Sequence, residues 1–258
     1  MCRLLLLCIL FAFSVQADDD LLSVARIING KSFVATSGDT VRLASIEAPN
    51  VKEEDTPTRH GRPGEPLGEE AGQALSALIA GRKVRIDYNP GKRDRHNRLL
   101  GQVYDDKGVW IQGEMLRHGF AMVYSFSDDS HDIIEKMLAA EREARSQKLG
   151  IWGDPYYRVI TPEEVREFIN RFKLVEGRVA NVHEYHGNIY INFNAHWKGN
   201  FAVFISHKHV DAFANAHLSS LEGKTIRVRG WINFHNAPMI ELTHVEQIEN
   251  LFNPNNSK

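Results

Sequence analysis

The chain has 258 residues, 43% hydrophobic and 25% charged, with a formal net charge of -2. This is the composition of an ordinary globular protein and excludes a low-complexity or fibrous one. The near-zero balance also excludes a chain drawn to nucleic acid by overall charge, because such binders usually carry a basic excess.

In chain order, Arg3 precedes an apolar run from Leu4 to Phe13, and "SVQA" then ends in a small residue. This predicts a secretory signal over residues 1–17, cleaved after Ala17. The run is too short to span a bilayer, and no later segment is apolar enough to do so. Both cysteines, Cys2 and Cys8, lie in the signal. The expected location is therefore exported, periplasmic or secreted, with a core that must hold without disulfides.

Leu22 to Ala35 alternates weakly around Gly30, and "VRLASI" follows the turn residues "TSGD". The pattern predicts a hairpin from about Val24 to Ile46, with Asp39 as a turn former. Lys52 to Pro66 is polar and rich in proline and glycine, and reads as a loop. "GEEAGQALSALIA" has helical spacing, acids at its start and Gly81 past its end. "KVRIDY" and "LLGQVY" read as strands flanking a basic loop, "NPGKRDRHNR". From Arg82 to Arg98 seven basic residues meet only Asp87 and Asp94, a solvated face or a phosphate-contacting strip. "SHDIIEKMLAAEREARSQKLG" reads as a long amphipathic helix capped by Ser130 and stopped by Gly150. "TPEEVREFINR" predicts a linker helix, with Thr161 as cap and Glu164 three residues on. From Lys173 to Ile248 the texture is strand-like, with one short helical piece, "VDAFANAHLSSL". Five strands with one helix predict a small oligonucleotide/oligosaccharide-binding (OB)-like barrel.

The phrases "INGKSF", "VRLASIEAP", "GEEAGQALSALIAGRKVRI", "DRHNRLLGQVY", "WIQGEMLRHGFAMV" and "AEREARSQKLGIW", in that order, resemble the staphylococcal nuclease (thermonuclease-like) family. The resemblance covers about Val24 to Trp152. It implies an α+β fold, a five-stranded OB barrel carrying three helices, and the second half resembles the barrel-like tail of some secreted bacterial members. The expected organisation is a signal (1–17), a nuclease-like domain (18–158), a linker helix (159–171), an OB-like barrel (172–250) and a tail (251–258).

The resemblance also implies phosphodiester hydrolysis of DNA or RNA with calcium. Carboxylates hold the ion, a glutamate serves the attacking water, and two arginines clamp the phosphate. Carried over by position, the arginines are Arg42 and Arg98, and the surviving acidic ligand is Glu47, which leaves it as the possible metal contact. The first acidic ligand falls on Lys31, and the water-activating glutamate on Asn50. A lysine about 4 Å from a divalent ion, at an effective dielectric of about 20, costs on the order of 8 kcal/mol. That rivals the whole binding energy of a micromolar site. No cofactor is assigned on this basis: calcium belongs to the family, and Lys31 argues against it here.

Three readings stay open. In the first, Lys31 replaces the metal and Glu47, Glu53 or Glu54 serves the water. In the second, Lys31, Arg42 and Arg98 converge on a phosphate that is bound and not cut. In the third, the fold is structural and Lys31 is simply paired with Glu47. Arg95 and His96 beside Arg98, with Tyr124 and Phe126 in "GFAMVYSF", are the substrate contacts that the resemblance implies, and aromatic faces can stack on bases; Tyr124 and Phe126 read equally as core or lid residues. The expected partner is nucleic acid. Eight of the twelve histidines follow residue 180, without metal-site spacing. Arg227 and Arg229 share a strand face, and either extend a nucleic-acid path or pair with Glu222 and Glu241.

Overall fold

The computed structural model describes residues 21–53, 63–196 and 198–249. The predicted signal, the predicted tail and Glu54 lie outside the described residues. The first half runs β1 (Leu21–Asn29), β2 (Ser32–Ala35), β3 (Thr40–Leu43), β4 (Ile46–Glu47), α1 (Gly68–Ile79), β5 (Lys83–Arg93), β6 (Leu99–Asp105), α2 (Ile111–Arg117), β7 (Met122–Val123) and α3 (His131–Ser146). Five strands close a barrel in the order β1-β2-β3-β6-β5, and β4 pairs separately with β7. Phe33, Val41 and Leu43 from the barrel meet Leu75, Ile79, Ile111 and Met137 from the helices in one apolar core.

The expected hairpin is a three-stranded meander. The chain turns at Gly30–Lys31 and again at "TSGD", where Gly38 has φ +89°. Gly30 is required by packing: a Cβ there would lie 2.6 Å from the Cβ of Ala71 on α1. The helix thus presses on the turn that carries Lys31. Asp39 is a turn residue as expected, hydrogen-bonded by Ser37 Oγ at 2.9 Å. The basic loop is shorter than expected. β5 continues to Arg93 through a register shift after Tyr88, leaving Asp94–Arg98 as the connection. Ser130 caps α3 by accepting from the Ile133 N–H.

The second half contains β8 (Phe172–Arg178), β9 (Asn181–Tyr185), β10 (Asn188–Asn192), β11 (Ala202–Ile205), β12 (Thr225–His235) and β13 (Ala237–Leu242). They form one sheet in the order β8-β12-β13-β11-β10-β9, and its two ends, β8 and β9, are consecutive in the chain. The sixth strand arises because "LVEGRVANV" breaks between Arg178 and Asn181. The sheet curls around a core of Val175, Ile191, Val203, Val228 and Ile240. The predicted linker helix is only a 3-10 turn, Val165–Phe168. Half of its capping box forms, the Thr161 N–H donating to Glu164 at 2.8 Å. The segment is then tied down, since the Asn170 N–H donates to the Ile232 carbonyl at 2.8 Å.

The two halves are locked by charges that a strand-face reading would send to solvent. Arg229 is 1% exposed. Its guanidinium donates to Glu141 on α3 at 2.9 and 3.0 Å, to the Val123 carbonyl at 3.1 Å, and to Glu249. Arg227 pairs with Glu176 at 2.7 Å and Glu249 at 3.2 Å. Neither arginine pairs with Glu222 or Glu241, and the Arg229 guanidinium is internal, unavailable to a nucleic-acid path. Burial opposes the Arg229 charge, but Glu141 and Glu249 outweigh it and raise its pKa. Beside them, Met122, Ile151 and Tyr157 pack on Phe172 and Leu174. Lys173 Nζ is enclosed here too, donating to the Tyr156 carbonyl and lying 3.9 Å from the Tyr156 ring centre and 4.3 Å from that of Phe168. Burial lowers its pKa to about 8.

Removing one partner of a buried ion pair strands the other. Arg229→Ala is expected to cost about 3–5 kcal/mol in chemical denaturation, and Arg227→Ala, half-exposed, less than about 1 kcal/mol. Lys173 gives a pH signature. With its folded pKa near 8 and its unfolded value near 10.5, the unfolded chain binds more protons between those values. Stability should therefore rise with pH above about 8, relative to a Lys173→Met variant that lacks this slope.

Candidate functional site

Four elements build the site. The Gly30–Lys31 turn, β3, β4 and the segment after it bring Lys31, Arg42, Glu47 and Asn50 together. Arg42 pairs in register with Ser32, one residue past the turn, so the two cations reach the same carboxylate. Glu47 is held in a buried strand pair with Met122.

Lys31 Nζ is buried and donates to three oxygens: Glu47 Oε1, the Ala48 carbonyl at 3.0 Å and Asn50 Oδ1 at 3.0 Å. Arg42 donates to Glu47 Oε2 at 3.0 Å and to the Leu43 and Ile46 carbonyls at 2.7 and 2.6 Å. Both carboxylate oxygens of Glu47 are thus engaged by cations. Burial lowers the pKa of Lys31, Glu47 raising it and Arg42 lowering it further. Burial likewise lowers that of Arg42.

A calcium ion needs several oxygen ligands carrying net negative charge. The oxygens that converge here are the acceptors of the Lys31 ammonium, and among the described residues no group of three or more His, Cys, Asp or Glu side chains could hold a metal. The residues present do not fit calcium. Glu47 is not a ready base either, since both its oxygens accept hydrogen bonds. Glu53 is exposed.

The expected convergence of three cations on one phosphate is only partly met. Arg98 donates from Nε to Asp94 Oδ2 at 2.8 Å and pairs with it through NH2 at 2.6 Å. It remains close enough to Arg42 to disfavour that charge. Burial works against the Asp94 carboxylate, but the hydrogen bonds from Arg98 and from the Arg98 and His96 N–H groups lower its pKa overall. Arg95 and His96 are exposed on this turn, Arg95 Nε lying 3.2 Å from His96 Nε2. Arg93 of the basic strip is paired with Asp39 at 2.7 Å. Tyr124 is half-buried, packed at 4.8 Å from Phe126 and 5.2 Å from Phe172. Burial raises the pKa of its hydroxyl, with Glu47 adding to the effect and Arg42 and Arg95 opposing it. The buried floor is therefore Lys31, Glu47 and Arg42, and the accessible rim is Arg98, Arg95, His96 and Tyr124.

Two carboxylates escaped sequence reasoning. Glu65 Oε2 accepts from Asn50 Nδ2 at 2.6 Å and from the Asn50 N–H at 2.9 Å, fixing the amide that faces Lys31. Its other oxygen accepts from Tyr156 at 3.1 Å. Asp129 accepts from Ser45 Oγ at 2.6 Å and from the Phe126 N–H at 2.8 Å, so it holds the aromatic segment against β4. Burial pushes its carboxyl up. Both lie in polar stretches with no periodic signal.

Glu47→Gln would leave Lys31 and Arg42 buried side by side without a counter-charge. The expected loss is about 3–5 kcal/mol by denaturant titration, and Lys31→Met combined with it should recover part of that loss.

Residues 40–154 match the family model described as "Staphylococcal nuclease homologue". "Probable endonuclease LCL3" of Komagataella phaffii is 34% identical over 49% of this chain and 53% of its own length. "Endonuclease YncB" of Bacillus subtilis is 31% identical over 54% of this chain and 60% of its own length. An "Uncharacterized endonuclease" of Escherichia coli O157:H7 is 28% identical over 56% of this chain and 85% of its own length. The chain spans little more than half the length of the first two relatives. The family match, the five-stranded barrel with its helices, and these similarities agree: the chain belongs to the staphylococcal nuclease homologue family.

Proposed function

We propose that this chain is an exported nuclease-family protein that engages nucleic-acid phosphodiesters at the Lys31–Arg42–Arg98 corner. In it a lysine ammonium stands where the family's divalent ion would sit. Three features support engagement of nucleic acid: the family, the relatives named as endonucleases, and the rim of Arg95, Arg98, His96 and Tyr124. The observation that carries the degenerate reading is Lys31 Nζ bonded to Glu47, Ala48 O and Asn50 Oδ1. The ammonium neutralises Glu47 from within. An amide at position 50 cannot take a proton from water at neutral pH, which forfeits the ~10²–10⁴-fold that a general base supplies. A phosphate approaching the rim meets the exposed Arg95 and the half-buried Arg98, whose guanidinium forks match phosphate oxygens. Export is supported by Arg3, the apolar run Leu4 to Phe13 and the small residue Ala17 that follows it.

A second reading, a structural role, has one observation in its favour: Lys31, Arg42 and Arg98 each have a carboxylate already. Nucleic-acid binding separates the two. With chelator present, the full chain is expected to retain single-stranded DNA in a salt-weakened manner, and added calcium should not stimulate cutting. Calcium-stimulated cleavage by the unaltered chain overturns the reading of Lys31. Neither binding nor cutting leaves the structural role. Lys31→Asp combined with Asn50→Glu should gather carboxylates around the Glu47 position, so that calcium raises the Tm of this variant and not of the parent. A variant without that calcium response means that residues 31 and 50 do not face the cation seat.

A further inference from the structure

The outer face of the second sheet carries a row of side chains that begins at the candidate site. In register, Phe172 on β8 lies opposite Trp231 on β12, and their rings are edge-to-face at 6.1 Å. Ile232 pairs with Ile240, so Trp231 is level with Glu241 on β13. Glu241 pairs with Phe204 on β11, Phe204 with Tyr190 on β10, and Tyr190 with His183 on β9. Directly paired residues share a sheet face. The alternate positions, Ile189, Ile191, Val203, Ile205, Ile240 and Ile232, fill the core on the opposite face. The row is therefore continuous across all six strands, about 24 Å at the usual strand spacing.

Its near end is inside the site. Phe172 packs on Tyr124 at 5.2 Å, and Phe172 and Trp231 line a small cavity together with Glu47, Ala48 and Glu65. Its far end is open. Tyr190 and Phe204 are half-exposed with ring centres 5.3 Å apart, His183 is exposed, and Tyr185, two residues along the same face, is 58% exposed and stacked on His183 at 6.4 Å. The Arg229 contacts to Glu141 on α3 tie the sheet to the nuclease-like half.

We propose that this row is a base-stacking platform that leads a single strand of nucleic acid away from the candidate phosphate site across the second domain. Single-strand tracks combine a cationic phosphate contact with successive aromatic faces. Here the cationic part is the Arg95–Arg98 rim and the aromatic part continues onto another domain. Glu241 sits mid-row. Its charge turns phosphates away from the sheet and its oxygens can accept from exocyclic base amines, so bases face the sheet and the backbone faces water. A duplex cannot use such a face, because its bases are already stacked. The platform makes the substrate single-stranded and longer than the rim alone can hold.

This rests on nucleic-acid engagement by the first half, and the test separates the two. Labelled single-stranded DNA probes of about 4 and about 20 nucleotides are titrated into the full chain with chelator present. The parent should bind the long probe more tightly. Tyr190→Ala with Phe204→Ala should raise the Kd of the long probe about tenfold or more and leave that of the short probe unchanged. Equal long-probe affinity in parent and variant overturns the platform and leaves the row to a ligand other than nucleic acid. A parent that binds neither probe overturns the nucleic-acid reading itself, and the platform with it. Should the double variant melt early, Tyr185→Ala decides: its exposed ring carries no core, and weaker long-probe binding supports the platform while unchanged binding overturns it.

Discussion

The first half of this protein is organised around one carboxylate shared by two buried cations. Glu47 places one oxygen on Lys31 and the other on Arg42. Each of the three costs several kcal/mol to desolvate alone. Together with the carbonyls of Leu43, Ile46 and Ala48 they satisfy one another. The triad also pins three chain segments: the Gly30–Lys31 turn, β3 and β4. An ammonium is a compact charge with three donors, and three oxygens meet it here. That is the same demand a small hard cation makes of its ligands. An ammonium held by three oxygens therefore ties these segments together, but it offers no coordination position for a water and lowers no water pKa.

The second organising contact is Arg229 with Glu141 and Glu249. It closes the face of β12 onto α3 and sets where the second sheet emerges from the interface. Phe172 and Trp231 are consequently shared: they finish the packing around Met122 and they wall the cavity beside Glu47. A change in the second domain can in this way be felt at the candidate site through packing.

Much was legible in sequence, and the reasons are local. The α1 and α3 helices announce themselves by periodicity, acids at the start and Ser130 as cap. The candidate corner is read from ordered phrases around Lys31, Arg42, Glu47 and Asn50, and hydrogen bonds link these four residues. What misled was context. "TPEEVREFINR" carries real capping chemistry, yet Val165 and Asn170 are claimed by the neighbouring sheet before a full helix can propagate. "NPGKR" holds proline and glycine and looks like a loop, but a bulge lets β5 carry it. Arg227 and Arg229 alternate as surface residues would, and alternation cannot say whether a face meets water or another domain.

The sequence by itself determined the family, the barrel with its helices, and the residue types at the candidate site, a lysine at position 31 and an asparagine at position 50, because these are properties of local pattern and of residue identity at ordered positions. Tertiary structure alone decided the rest: that Lys31 bonds inward to three oxygens, that Glu65 and Asp129 support the site from distant loops, and that an aromatic row joins two domains. Those facts depend on which burial satisfies which charge, in part across long chain separations such as Asp129 with Ser45 and Glu65 with Tyr156, and local pattern does not encode that choice.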